Sequence, residues 1–402
     1  MLAFPIYLLL FCRLMKYYII AGEASGDLHG SNLIKELRKL DVAADIRCWG
    51  GDLMREAGAT LVKHYRDLAF MGFAEVVKNL RTILQNLKIC KEDILRFKPD
   101  ALILIDYPGF NLRIARWARQ QKLFGQGGGK IVYYISPQVW AWKENRVRQM
   151  KANIDKMIVI IPFEKNYFKN KWNWEVEYVG HPLRDLIENR QKSTVEAQLL
   201  NFKRGLTDKP VVALLPGSRK QEIAKKLPVM LEVSKYFPHY EFVVAEAPSV
   251  EDEFYRHFTK PYSNVKAVKN RTYDLLMIAK AALVTSGTAT LETALFGVPE
   301  VVCYKGSSLS YQIARRVIKV KYIAMVNLIL DRPAVKELIQ NDLTADNLRS
   351  ELHELLTNEI RVETIRKDYA ELKKILTQNG EVVERGAAAK AAKIVVDFLS
   401  MR

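Results

Sequence analysis

The hydrophobic positions in the first 180 residues alternate between continuous runs and runs with helical spacing. Ala101–Ile105 is uniformly apolar, which is typical of a strand buried on both faces. Leu33, Ile34 and Leu37 recur at the spacing of an amphipathic helix. Strands that alternate with helices predict a parallel, doubly wound sheet. The predicted strands of this half are Tyr17–Ala21, Asp45–Trp49, Ala101–Ile105, Ile131–Ile135 and Met157–Ile161.

The same alternation restarts after a polar connector at about residues 181 to 209. From about Ala334 onward the pattern is helical and charged, and it ends in an Ala-rich amphipathic stretch. A chain of 402 residues suits two domains. The predicted strands of the second half are Val211–Leu215, Phe242–Ala245, Ala281–Val284 and Glu300–Tyr304.

The pattern therefore predicts four segments along the chain. A first domain is expected at 16–185 and a second at 186–375, followed by a C-terminal helix at 376–402. Packing of that helix on the first domain or on a partner stays open. Residues 1–15 are interpreted as a start-site extension or a disordered tail, because their apolar run is too short to span a bilayer and Met15 precedes the first strand.

The net charge limits the classes of binding partner that we expect. The 62 Lys and Arg residues exceed the 45 Asp and Glu residues by 17, so the protein should accumulate near nucleic acid, anionic lipid or phosphorylated substrates. No RNP, KH or helix-turn-helix pattern occurs, which disfavours nucleic acid. The aromatic and basic segment 136–148 is interpreted as core tryptophans with a solvated basic helix behind them.

The sequence contains no recognisable metal motif. Its four cysteines are widely scattered without a C-x-x-C pair, and neither an H-E-x-x-H motif nor a cluster of His and Cys occurs. We therefore predict no metal and no cofactor, and the cysteine pattern fits a reducing compartment.

Two loops of similar construction follow predicted strands, one in each half. They are Gly22–Asp27 and Ser286–Glu292. A small-residue turn between a strand and a helix lets a ligand approach the backbone, and the helix N-terminus favours negative charge. Two such loops predict two facing domains with the reaction between them.

Three charged residues near strand ends are candidates for chemistry. Asp106 follows a buried strand and could act as a general base, although a turn aspartate explains it equally well. Arg219 could bind phosphate oxygens, or it could be an ordinary surface arginine. Glu292 could accept two ribose hydroxyls, or it could be a helix-capping carboxylate.

Six motifs in this order resemble the lipid-A-disaccharide synthase family, and the resemblance runs from about Met15 to the C-terminus. The motifs are Gly22–Asp27, Phe70–Val76, Ile105–Asn111, Ser136–Trp142, Leu215–Arg219 and Ser286–Glu292. The resemblance implies a GT-B glycosyltransferase with two Rossmann-like domains facing a central cleft and with C-terminal helices.

The resemblance also implies a reaction and a location. UDP-2,3-diacylglucosamine would donate its sugar to 2,3-diacylglucosamine 1-phosphate, giving the β-1,6-linked disaccharide 1-phosphate and UDP with inversion and without a metal. The enzyme would act as a peripheral protein, without a transmembrane helix, at the cytoplasmic face of the inner membrane of Gram-negative bacteria. The net charge of +17 would help it dock on that anionic surface.

Carried over by position, the resemblance assigns roles to individual residues. Asp106 would be the base for the acceptor 6-hydroxyl, and Arg219 would neutralise charge on the departing UDP. Gly109 stands where some relatives carry a second acidic residue, which removes a rival base. The expected nucleotide-binding residues are Gly217, Ser218, Arg219, Ser286, Gly287, Thr288 and Glu292, and those expected on the acceptor side or in the cleft are Glu23, Ser25, Gly26 and Asn327.

The segment Leu68–Val77 carries more apolar residues than a solvent-facing helix needs. We predict that Phe70, Met71 and Phe73 contact membrane or acyl chains, and the alternative is an ordinary core helix. The length of the acyl chains and the oligomeric state stay open.

Two other functions remain compatible with parts of the pattern. Another GT-B enzyme, such as a UDP-sugar 2-epimerase or the lipid II-forming transferase, would share the Ser286–Glu292 loop but not Gly22–Asp27 or the Trp140–Trp142 segment. A non-catalytic nucleotide-sugar-binding module at the membrane surface would need neither Asp106 nor an acceptor.

Overall fold

The computed structural model describes residues 14–67, 80–124, 128–194, 196–306, 311, 320–377 and 386–401. Residues 1–13 of the predicted extension, and the predicted membrane contacts Phe70, Met71 and Phe73, lie outside the described residues. The chain divides into two compact units, Met1–Pro182 with Val382–Arg402, and Leu183–Glu381. No described helix is both long enough and apolar enough to cross a membrane.

The first unit is built on a parallel sheet with the described strand order β3-β2-β1-β4-β5-β6-β7. Its strands are β1 (Lys16–Ala21), β2 (Asp45–Gly50), β3 (Thr60–His64), β4 (Ala101–Ile105), β5 (Lys130–Tyr134), β6 (Lys156–Val159) and β7 (Glu177–Tyr178). The helices between them are α1 (Ala24–Leu40), α2 (Asp52–Glu56), α3 (Leu80–Phe97), α4 (Pro108–Arg119), α5 (Arg146–Asn153) and α6 (Pro162–Trp172).

The second unit has a parallel sheet of its own, with the described order β10-β9-β8-β11-β12-β13. Its strands are β8 (Val211–Leu215), β9 (Glu241–Glu246), β10 (Val265–Lys269), β11 (Ala279–Thr285), β12 (Glu300–Tyr304) and β13 (Lys336–Ile339). Its helices are α7 (Pro182–Ser193), α8 (Glu196–Arg204), α9 (Lys220–Ser234), α10 (Asp252–Thr259), α11 (Thr272–Ile278), α12 (Thr288–Phe296), α13 (Met325–Leu330), α14 (Ala345–Thr357) and α15 (Glu359–Ile375).

The polar connector predicted around residues 181 to 209 is largely helical, since α7 and α8 occupy most of it. The last helix, α16 (Ala387–Ser400), belongs to the first unit and packs against α1. Its Phe398 ring lies 5.7 Å from the ammonium of Lys130 and 5.3 Å from that of Lys156, both on strands of the first sheet.

The central strands confirm the hydrophobic pattern. Every residue of β4 and of β8 is buried, as a strand covered on both faces requires. Both sheets are parallel and have helices between their strands, so the predicted doubly wound architecture is confirmed.

The strand order fixes where ligands can bind. In the first sheet the chain adds strands on one side of β1 as far as β3, and from β4 onward it adds them on the other side. In the second sheet the same change of direction occurs between β8 and β11. A reversal leaves a crevice beyond the carboxyl ends of the two strands, because the helices that follow them cover opposite faces. The Gly22–Asp27 loop and Asp106 follow the first pair of strands, and Pro216–Arg219 and Ser286–Glu292 follow the second.

Candidate active site

The Gly22–Asp27 loop is anchored by its last residue. The buried Asp27 carboxylate accepts hydrogen bonds from the backbone N–H groups of Gly51 (2.7 Å), Met54 (3.1 Å) and Leu53 (3.2 Å). These groups form the N-terminus of α2, whose first N–H groups have no partner within the helix. Asp27 therefore holds α1 and α2 together and has a structural role.

Glu23 and Ser25, near the start of the same loop, are at least partly exposed to solvent. Glu23 stands half-buried before the first residue of α1, and Ser25 is exposed. Gly26 is buried, and a Cβ there would lie 3.0 Å from the Cβ of Ala21, so the glycine allows α1 to approach β1 closely. Glu23 and Ser25 are thus the two polar side chains that this loop presents at the predicted acceptor side.

Asp106 and Tyr107 both adopt left-handed backbone conformations, with φ of 42° and 48°. The N–H of Asp106 donates to the carbonyl of Tyr134 (3.2 Å). Its carbonyl accepts from the Asn111 side-chain amide (2.8 Å) and from the Tyr133 hydroxyl (2.5 Å). Neighbours on β5 and α4 thus hold a conformation that non-glycine residues seldom adopt, a strain that is common at functional sites.

Burial, with a smaller contribution from the negative charge of Glu23, raises the pKa of Asp106 to about 6. The carboxyl is therefore mostly ionised at neutral pH and still has appreciable proton affinity. A general base works best when its pKa lies near the operating pH, so Asp106 is well suited to take a proton from a hydroxyl. Glu23 and Asp106, predicted separately, are brought together at one switch point.

Glu164, which the sequence analysis did not single out, joins the Trp140–Trp142 segment to the start of α6. Its fully buried carboxyl group accepts from the Trp140 indole N–H (3.1 Å) and from the backbone N–H of Ile161 (3.1 Å). Burial raises its pKa to about 8, and the charge of Asp106 acts in the same direction. A Glu three positions into a helix predicts the backbone bond, but sequence offers no signal for the indole partner.

Arg219 lies at the carboxyl end of β8, directly before α9. Its side chain is 61% exposed, and its guanidinium lies 3.5 Å from the Glu222 carboxylate. Gly217, two residues earlier, has φ of 120°, a conformation that favours glycine. Ser218 also belongs to this loop, and its carbonyl accepts from the Ser249 hydroxyl (3.5 Å).

The sequence analysis did not identify Lys226, a buried lysine close to this loop. The Lys226 ammonium donates a short hydrogen bond to the Thr285 hydroxyl at the end of β11, and it lies 4.0 Å from Glu222. Burial lowers the pKa of Lys226, and the Glu222 charge opposes that shift. Because Thr285 directly precedes Ser286, Lys226 connects the two loops at the switch point of the second sheet.

The Ser286–Glu292 loop opens the N-terminus of α12. Gly287 has φ of 133°, and Thr288 begins the helix with an exposed side chain. The Ser286 hydroxyl donates to the carbonyl of Ile323 (3.1 Å), and the Thr290 hydroxyl donates to the carbonyl of Gly287 (2.8 Å). These bonds fix a turn with backbone N–H groups at a helix start, an arrangement that suits an anion.

Glu292 lies one turn into α12. The Tyr273 hydroxyl donates to its Oε1 (2.9 Å), which orients the carboxylate. Burial raises the pKa of Glu292, and the hydrogen bond from Tyr273 lowers it. A carboxylate held in one orientation can accept hydrogen bonds from the hydroxyl groups of a ribose with little further loss of side-chain conformational freedom.

Asn327 lies inside a hydrogen-bond network at zero exposure. Its amide N–H groups donate to the carbonyl of Val335 (2.9 Å) and to Glu337 (2.9 Å), and its Oδ1 accepts from the N–H of Val335 (2.9 Å). The network joins α13 to β13. A ligand contact of Asn327 stays a prediction, and it would require these bonds to rearrange.

Asp106 belongs to the first unit and Arg219 to the second. Within the described parts of the chain, no group of three or more His, Cys, Asp and Glu side chains could hold a metal ion. Arg219, Lys226 and the start of α12 supply positive charge near the second switch point.

Comparison with solved structures supports the fold. The UDP-GlcNAc 2-epimerase from Neisseria meningitidis bound to UDP-GlcNAc aligns with a TM-score of 0.64 and 14% identity, covering 96% of this chain and 100% of its own. The calicheamicin glycosyltransferase CalG4 aligns with a TM-score of 0.58 and 16% identity, covering 97% and 99%. These likenesses confirm the GT-B fold of two Rossmann-like domains.

Comparison of sequences is more specific. A family model described as lipid-A-disaccharide synthetase matches residues 17–395. The lipid-A-disaccharide synthase of Geobacter metallireducens is 37% identical over 393 residues, which cover 96% of this chain and 98% of that protein. That of Coxiella burnetii strain Dugway 5J108-111 is 36% identical, with 85% and 88% covered. Motifs, fold and relatives agree, and the chain belongs to the lipid-A-disaccharide synthase family.

Proposed function

We propose that this enzyme condenses UDP-2,3-diacylglucosamine with 2,3-diacylglucosamine 1-phosphate, giving the β-1,6-linked disaccharide 1-phosphate and UDP. As a member of the lipid-A-disaccharide synthase family, the protein is a glycosyltransferase of lipid A biosynthesis. The observation that supports this specific reaction is Asp106, a carboxylate at the carboxyl end of β4 whose pKa burial raises to about 6.

In the proposed reaction Asp106 takes the proton of the acceptor 6-hydroxyl as that oxygen attacks the anomeric carbon of the donor. The bond from the anomeric carbon to the diphosphate oxygen breaks, and its electron pair leaves with UDP. Attack from the face opposite the leaving group inverts the anomeric configuration. Glu23 maintains the proton affinity of the base by raising the pKa of Asp106.

We assign the donor nucleotide to the second unit. Arg219 would neutralise the charge that develops on the departing diphosphate, and the backbone around Gly217 and Ser218 would line the same loop. The N–H groups at Ser286, Gly287 and Thr288 would bind phosphate oxygens, and Glu292 would accept ribose hydroxyls. With Arg219 and a helix N-terminus supplying positive potential, the proposed mechanism does not require a metal.

We also propose that the enzyme works as a peripheral protein at the cytoplasmic face of the inner membrane. Substrates with two acyl chains stay in the bilayer, so the enzyme must reach the membrane surface. The net charge of +17 favours anionic headgroups, at about 1 kcal/mol for each Lys or Arg near the surface.

The test is the substitution Asp106→Asn, which suits the site better than alanine because asparagine tolerates the left-handed φ of 42°. We expect turnover to fall by about 10²- to 10⁴-fold, the usual contribution of a general base, while UDP still binds. Asp331→Asn is a matched control, since Asp331 has φ of 49° and a side chain that is 78% exposed.

Mass spectrometry of wild-type reactions with both diacylated substrates would identify the disaccharide and UDP. If wild type forms neither product, the proposed reaction is wrong. Unchanged turnover in Asp106→Asn would exclude Asp106 as the base. A non-catalytic binding module would bind UDP-sugar without any product, and a 2-epimerase would isomerise the donor in the absence of acceptor.

A further inference from the structure

The loop after β5 presents two cations around an exposed indole. The sequence analysis interpreted the tryptophans of this segment as core residues, which is wrong for Trp142, because it is 45% exposed. The ammonium of Lys143 lies 4.4 Å from the centre of the Trp142 ring, and the guanidinium of Arg146 lies 5.6 Å from it. Cations at these distances are attracted to the ring face, although only weakly at an exposed site.

A third cation comes from a neighbouring helix. Arg146 is the first residue of α5, Arg113 lies on α4, and the two helices pack against each other. Burial lowers the pKa of the half-buried Arg146, and the positive charge of Arg113 lowers it further. The two guanidinium groups are thus close enough to repel each other.

Among the residues that the structure describes, no Asp or Glu forms an ion pair with the cluster of Arg113, Lys143 and Arg146. The neighbouring Glu144 is directed to α6, where it accepts from the Tyr167 hydroxyl (2.7 Å) and pairs with Lys171 (2.6 Å). At this partly exposed site the like charges repel one another only weakly, and an anion bound between them would replace that repulsion by attraction.

The cluster is adjacent to the candidate base. The charge of Arg146 acts on the Tyr133 hydroxyl, and that hydroxyl donates to the carbonyl of Asp106 (2.5 Å). In the proposed acceptor the 1-phosphate is on C1 and the reacting 6-hydroxyl is attached through C5, and C1 and C5 are the two carbons bonded to the ring oxygen. A phosphate site is therefore needed about one sugar away from the base.

We propose that Arg113, Lys143 and Arg146 form a binding site for a phosphate monoester, and that its ligand is the 1-phosphate of the acceptor sugar. This assignment rests on the proposed function. Guanidinium groups bind phosphate oxygens through paired, charge-assisted hydrogen bonds, and lysine adds a point charge. Trp142, exposed between the cations, is placed to cover the apolar face of the bound sugar.

The first experiment compares the acceptor with its analogue that has a hydroxyl in place of the 1-phosphate, both in detergent micelles. We expect Arg146→Gln and Arg113→Gln to raise KM for the phosphorylated acceptor by about 10- to 100-fold, the loss for one charge-assisted contact. KM for the donor, and KM for the analogue, should stay unchanged. Arg148→Gln, at an exposed residue of the same helix, is the control and should leave all three values unchanged.

Equal losses with the acceptor and the analogue would overturn the proposal, since the arginines would then not act on the phosphate. Sedimentation with phosphatidylglycerol vesicles distinguishes the other source of the same chemistry. If Arg146→Gln loses vesicle binding while its KM for the acceptor in micelles is unchanged, the cluster contacts lipid headgroups and the proposal is wrong.

A second experiment tests the site without turnover. Binding of inorganic phosphate and of micellar acceptor is measured by calorimetry for wild type, Arg146→Gln and Arg148→Gln, after circular dichroism has confirmed that all three are folded. We expect the acceptor to bind about tenfold more weakly to Arg146→Gln than to the other two proteins. Equal binding would overturn the site, whereas absence of disaccharide formation by wild type would overturn only the proposed reaction.

Discussion

The aromatic ring of Tyr107 lies directly against Gly22, so that a Cβ added at Gly22 would come within 2.2 Å of a ring carbon. Gly22 follows β1, and Tyr107 follows β4, the two strands on either side of the switch point in the first sheet. Two motifs that are far apart in the sequence thus meet through one steric contact. Because Tyr107 adjoins Asp106, this contact helps to set the position of the candidate base.

Gly22→Ala should therefore damage both stability and activity. The methyl group must displace the Tyr107 ring, and such overpacking costs about 1 to 3 kcal/mol. We expect a lower free energy of unfolding in denaturant titrations and a fall in kcat that exceeds any change in donor KM. Gly109→Ala is the matched control, since a Cβ there meets nothing within 4 Å. Equal behaviour of the two variants would contradict the steric role of Gly22.

Glu23→Gln should move the acid limb of the pH–rate profile. Burial raises the pKa of Asp106 to about 6, and the Glu23 charge contributes in the same direction. Removing that negative charge favours the ionised form of Asp106, so the limb should shift to lower pH. Rates measured from pH 4.5 to 8 would detect the shift, with Glu56→Gln as a control at an exposed carboxylate. A limb that stays in place would show that Glu23 does not influence the base.

Glu164→Gln should change how stability depends on pH. Burial raises the pKa of Glu164 from 4.5 to about 8, so in this interval the folded protein keeps a proton that the unfolded chain releases. Stability from this group is complete below pH 4.5 and is lost as pH rises to about 8, by at most about 1.4 kcal/mol per pH unit.

The variant, which is neutral throughout, should lack this decline. Denaturant titrations at pH 5, 6.5 and 8, followed by tryptophan fluorescence, would compare the slopes of unfolding free energy against pH. Glu175→Gln, at an exposed glutamate, is the control and should keep the wild-type slope. The proposed cause would be wrong if Glu164→Gln kept that slope as well.

Tyr273→Phe should weaken UDP binding without unfolding the protein. The Tyr273 hydroxyl holds Glu292 by a 2.9 Å bond, and its loss frees the carboxylate that is proposed to accept ribose hydroxyls. Because this bond orients Glu292 and does not itself contact UDP, we expect only about a 2- to 10-fold rise in Kd by calorimetry. Tyr262→Phe removes a similar bond to Glu232 (3.4 Å) elsewhere in the unit and should leave Kd unchanged. An identical Kd in both variants would argue against a ribose contact at Glu292.

Edge strands show where the hydrophobic pattern loses its predictive power. The strands that the sequence analysis missed, β3, β7, β10 and β13, stand at the four edges of the two sheets. A central strand is buried on both faces and is uniformly apolar, whereas an edge strand such as Val265–Lys269 carries lysines on partly exposed positions. Burial, not strand formation itself, produces the signal.

The sequence also predicted only some of the contacts within the candidate active site. Parallel strands bring their carboxyl ends to one edge, so Asp106 and Glu23 could be placed near each other from sequence alone. The cap formed by Asp27, the bond from Trp140 to Glu164 and the link from Lys226 to Thr285 join residues that are distant in sequence. The geometry of these contacts depends on how the helices pack, and the hydrophobic pattern does not predict which residues of two packed elements face each other.

The helix α16 determines which of the two units is completed last during synthesis. It is synthesised after the whole second unit, yet its Ala391, Ala392, Val395 and Leu399 are buried within the first unit, where α16 packs against α1. While a ribosome still holds these residues, the face of α1 behind the Gly22–Asp27 loop is uncovered. The first unit to be synthesised is therefore the last to be completed, because α1 lacks this packing until α16 has been made.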